Sequence, residues 1–107
     1  MGHLAAVLLI VALASGCIGQ PSGGPRTVQE TAKASCMELC EQAVSEGADL
    51  SSGPCLSENV ADGWVCDIAH SPRTAVDNDP ANQCSAYGKG APHFVEVDAA
   101  CNLIREE

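Results

Sequence analysis

The chain predicts a small α+β domain stapled by disulfides: one N-terminal amphipathic helix packed on two or three short antiparallel strands. Three observations carry this. An apolar stripe with helical spacing lies between a capping box and a glycine stop, over about 28–46. Two short segments, 64–70 and 93–98, have strand composition and period-two alternation. Six cysteines are spread over residues 36–101 of a chain that has only 3% aromatic residues. A domain of roughly 80 residues builds only a marginal core by itself. Three crosslinks at about 2–4 kcal/mol each supply what such a core lacks.

The helix is the best-defined element. Thr27 followed by Glu30 is a capping box, and Gly47 is the stop. Ala32, Cys36, Leu39, Cys40 and Ala43 fall on one face, with Lys33, Glu38 and Glu41 elsewhere. Cys36 and Cys40 therefore point the same way, one turn apart. Bonding them to each other would be strained, so each is expected to reach a separate partner. The Cys36-x3-Cys40 spacing is similar to that of cysteine-stabilised helix folds such as hairpinins and defensin-like peptides. Those folds require a second closely spaced pair, which this chain lacks.

After the helix, Ser51-Ser52-Gly53-Pro54 reads as a turn into Cys55, and 59–63 is ambiguous between strand and short helix. Trp64, Cys66, Ile68 and His70 share one face of the first strand, which Pro72 ends. Asp77-Asn78-Asp79-Pro80 is a turn. As a calcium loop it fails, because Asn82 and Gly88 stand where glycine and glutamate would be needed. The second strand covers 93–98, and Cys101–Ile104 is a third extended piece. Six cysteines allow fifteen pairings and the sequence alone does not choose; the pairing we expect is Cys36–Cys66, Cys40–Cys55 and Cys84–Cys101.

The N-terminus gives an address. Apolar residues run uninterrupted from Leu4 to Ala14, and the segment ends Leu13-Ala14-Ser15-Gly16-Cys17. The run is too short to span a bilayer, which takes roughly 20 residues. An h-region closed by small residues is an export pattern. The ending resembles the lipobox of prokaryotic lipoproteins, its wording most like archaeal examples, although Met1-Gly2-His3 carries no Lys or Arg. The resemblance implies cleavage before Cys17 and a diacylglyceryl group on that residue; a signal that is simply cleaved is the other reading. The organisation expected is then a signal peptide at 1–16, a flexible Gly/Pro-rich tether at 17–26, and the disulfide-stapled domain at 27–107. About nine tether residues reach about 15–18 Å.

All of the net charge of −9 belongs to residues after 16. Five scattered basic residues in an acidic chain argue against nucleic acid as a partner. They also argue against electrostatic attachment to anionic lipid, so the membrane partner is reached through the lipid on Cys17. No cofactor or metal is expected: zinc sites pair close ligands twice, and thiols in an oxidising compartment become disulfides.

The candidate binding residues are Asp67, His70, Arg73, His93 and Glu96. A histidine beside a carboxylate offers a general base, and an arginine offers an anion a place to dock. Strand alternation turns Asp67 away from His70 and His93 away from Glu96, and no nucleophile is marked. His70 and Arg73 nevertheless form a local positive spot in an acidic chain. The function expected is a lipid-anchored extracytoplasmic interaction or binding domain, its partner a protein or small molecule. The alternative is a small extracytoplasmic enzyme or metal-handling protein using His70, Arg73, His93 and Glu96. The two separate on whether His70 and His93 converge.

Overall fold

The computed structural model describes residues 25–107. The segment expected to be a signal peptide (1–16), Cys17 and nearly all of the expected tether lie outside the described residues. Helix α1 spans Val28–Ser45 and is followed by strands β1 (Cys55–Ala61), β2 (Trp64–Ile68), β3 (His93–Val97) and β4 (Leu103–Glu106). The fold is α+β, and its sheet has four strands in the order β1-β2-β3-β4, one more than the most the sequence pattern supports. Nor is it wholly antiparallel: β1–β2 and β3–β4 are antiparallel, whereas β2 and β3 run parallel.

The helix starts as the pattern predicts. Thr27 Oγ1 accepts the Glu30 amide at 3.1 Å, and Glu30 Oε2 accepts the Thr27 amide at 3.4 Å. Ala32, Cys36 and Cys40 are buried against Trp64, Cys66 and Ile68 of β2 and Val95 and Val97 of β3. Small side chains on the helix let it approach the sheet closely, and the β-branched and aromatic residues fill the remaining space.

Parallel pairing of β2 and β3 requires a crossover, and residues 69–92 supply it without an α-helix. Two short 3₁₀ turns, Ala75–Asn78 and Pro80–Asn82, punctuate it. Cys84 and Ala91 from this connection pack with Val65 and Phe94 in a second cluster, distinct from the helix-side core. The sheet is therefore covered on both faces, by α1 on one and by the connection on the other.

Three disulfides tie these layers together. Cys36–Cys66 joins α1 to β2, as expected. The other two expected pairs are wrong: Cys40 bonds Cys101, and Cys55 bonds Cys84. Register explains the correction. Cys55 sits opposite Asp67, and directly opposed residues of an antiparallel pair point to the same side. Cys55 therefore shares the face of Asp67, away from the helix, and cannot reach Cys40. Cys101, expected inside an extended piece, instead occupies a tight turn at φ 66°, where it meets the helix.

Candidate functional site

The face opposite α1 carries a row of three residues in register across three strands: Asp67 on β2, Glu96 on β3 and Arg105 on β4. Period-two alternation turns Asp67 and Glu96 away from the helix-side core formed by Cys66, Ile68, Val95 and Val97. With Arg73, Gln83 and Tyr87 from the connection and Phe94 from β3, this row lines a cleft of about 200 Å³.

Arg73 is fixed from three sides. Its NH1 donates to Glu96 Oε2 at 3.0 Å, its Nε to Asn78 Oδ1 at 2.8 Å and its NH2 to the Asp77 carbonyl at 3.1 Å. The Glu96 side chain is only 7% exposed, so the pair is largely desolvated and its geometry is held. Arg105 is looser. Its Nε lies 3.7 Å from Glu96 Oε1 and its NH1 3.8 Å from Glu107, and its side chain is 55% exposed. Its guanidinium carbon sits 5.0 Å from the centre of the Phe94 ring, which in turn packs edge-on with Tyr87 at 5.1 Å.

Asp67 is the unusual member. Its Oδ1 is buried and has no hydrogen-bond partner among the described residues. Burial first, and then the neighbouring Glu96 carboxylate, push its carboxyl up to about 7, against the pull of the Ile68 backbone amide and of Arg73. A carboxyl that exchanges its proton near neutrality, lining a cleft with two guanidinium groups, has the character of a functional group.

The connection is held by Asp77, whose side chain is fully buried. Its Oδ2 accepts the backbone amides of His70 at 3.1 Å and Thr74 at 2.8 Å, and its Oδ1 contacts His70 Nδ1 at 2.9 Å. Burial alone would raise this carboxyl; the Thr74 and His70 donors outweigh it and hold it at about 2. Both oxygens are occupied by protein donors, so Asp77 is a clamp and not a cation ligand. Gly53 makes the clamp possible: at φ 67°, a Cβ on it would stand 2.5 Å from Asp77 Oδ1.

Of the five predicted site residues, Asp67, Arg73 and Glu96 line the cleft. His70 and His93 do not. His70 is tied to Asp77, its Nδ1 lying 2.9 Å from Asp77 Oδ1 and 3.2 Å from the Thr74 hydroxyl. His93 stacks on Trp64 with ring centres 4.6 Å apart. Among the described residues, the group of three potential metal-ligating side chains within mutual reach is Cys55, Glu58 and Cys84. Its two sulfurs are bonded to each other. Arg105, Tyr87 and Phe94 were missed as site residues. No local signal marks Arg105, because it meets Glu96 only through the β3–β4 register. Comparison with protein families, curated proteins and solved structures finds no match to this chain.

Proposed function

We propose that this chain is a lipid-anchored extracytoplasmic binding domain that takes a small charged ligand in the cleft between β2, β3, β4 and the connection. Three disulfides among six cysteines support an oxidising compartment. The lipobox-like ending at Cys17 supports attachment at the outer face of the membrane through lipid. Among the described residues no helix is long and apolar enough to cross a membrane.

The observation that carries the binding reading is the Asp67–Glu96–Arg105 row with its unpartnered Asp67 oxygen. Native structures satisfy buried polar atoms, so an acceptor left open in a cleft lined by charge suits a ligand. The cleft is also rigid. Cys55–Cys84 and the Arg73–Glu96 pair fix its walls to the sheet, which reduces the ordering cost of binding. The enzymatic or metal-handling alternative needs His70 and His93 in one site, and their contacts keep them in separate ones.

The test is amide chemical-shift mapping of the oxidised chain with acetate, methylammonium and glycine as probes. Shifts centred on Asp67, Glu96 and Arg105 with any of the three support the reading. Absence of shifts there with all three contradicts it.

A further inference from the structure

We propose that the cleft selects an α-amino carboxylate in its zwitterionic form, the ammonium against Asp67 and the carboxylate against Arg105. This rests on the binding function proposed above and names the ligand class. The argument begins with the open valences. Every nitrogen of the Arg73 guanidinium already donates to a protein acceptor, and Glu96 Oε2 is taken by Arg73. Two groups in the row remain free to bind. One is Asp67 Oδ1, an acceptor without a partner. The other is the Arg105 guanidinium, whose ion pairs at 3.7 and 3.8 Å are longer than hydrogen bonds.

These two flank Glu96 in a single register row. Adjacent strands lie about 4.8 Å apart, so the row is about 10 Å wide at the backbone. Arg105 leans back across it toward Glu96 and the Phe94 ring, which shortens the span that a ligand must bridge. A ligand joining both ends therefore needs a cationic donor and an anion close together, as when both sit on one carbon. A plain anion would meet Arg105 and also the Glu96 carboxylate; a plain cation would meet Asp67 and also two guanidinium groups. The zwitterion satisfies both ends and adds no net charge.

Size agrees. A water molecule occupies about 30 Å³ of liquid, so a cleft of about 200 Å³ holds roughly seven non-hydrogen atoms, the scale of a small α-amino acid. The Phe94 and Tyr87 rings offer its side chain an apolar wall.

Binding should be linked to protons. Asp67 is faced by Glu96 from β3, Arg105 from β4, and Arg73 and Asp77 from the connection. An ammonium entering beside it favours the ionised carboxylate, so at pH 6.5 binding releases a proton from Asp67 to buffer.

The experiment is calorimetric titration of the oxidised chain with L-valine, N-acetyl-L-valine and L-valinamide at pH 6.5 in two buffers of different ionisation enthalpy. L-valine is expected to bind with proton release, and each blocked analogue at least tenfold more weakly. Asp67→Asn should abolish the preference for L-valine over N-acetyl-L-valine. Arg105→Ala should abolish the preference over L-valinamide; this side chain is largely exposed, so the variant keeps its fold. An N-acetyl-L-valine affinity equal to that of L-valine would make the cleft an anion site, and equal L-valinamide affinity a cation site; either overturns the inference. No binding of L-valine, while acetate or methylammonium still shifts the cleft amides, overturns the inference and leaves the binding function standing. Silence of every probe overturns both.

Discussion

Two aspartates with opposite electrostatics organise the site. Asp77 is buried but saturated with donors, and its carboxyl is held at about 2. It contributes stability that is fully present above the ordinary carboxylate range and lost as pH falls from about 4 toward 2. Asp77→Ala should cost about 2–3 kcal/mol and lower the melting temperature by about 10 °C or more, measured by circular dichroism at pH 7. Asp67 behaves in the opposite sense. Its folded carboxyl titrates at about 7, so the unfolded chain ionises first as pH rises, and stability falls between about pH 4 and 7. Asp67→Asn, which cannot ionise, should melt a few degrees higher than the native protein at pH 8. At pH 2.5, where Asp67 is protonated in both states, the two should melt together. A native protein as stable as the variant at both pH values would show that Asp67 is not held in a cleft that resists its charge.

At the scale of elements, legibility followed periodicity. The helix carries its own start, stripe and stop within 18 residues, and its two cysteines reach separate partners as their spacing requires. β2 and β3 were legible from alternation. β1 was not, because it is a polar edge strand whose register shifts break the alternation at Ser57. The parallel pairing of β2 with β3 was hidden because the crossover has no helical pattern to announce it. Both disulfide errors descend from these two omissions, since pairing depends on which face each strand presents. In the site, Asp67, Arg73 and Glu96 could be picked from a local cluster and a strand. Arg105 could not, because its place beside Glu96 exists only through sheet register. The crosslinks yield an ordering prediction. Cys40–Cys101 spans 61 residues, against 30 and 29 for the other two. On the chain-entropy account, replacing both of its cysteines by serine should cost about 0.6 kcal/mol more than removing either of the others. Urea unfolding of the three double variants measures this, and equal midpoints would point to native-state strain as the controlling factor.

On the function proposed above, the whole molecule is an address, a tether and a stapled binding domain. The acidic domain at 27–107 carries four Lys and Arg residues, Lys33, Arg73, Lys89 and Arg105, and anionic headgroups repel it, so the proposed attachment rests on the lipid. Cys17→Ser should leave the chain uncleaved or shift it from the membrane to the soluble fraction, read by fractionation and intact mass. A diacyl anchor holds stably where one acyl chain holds only marginally. Unchanged retention with an unchanged N-terminus would remove the lipid from the account and leave the cleft untouched. The cleft itself rests on one carboxyl. Carbon-detected NMR of the Asp67 side chain across pH 3–9 should give a midpoint of about 7, moving downward when L-valine saturates the protein; a midpoint near 4, indifferent to L-valine, would contradict the account.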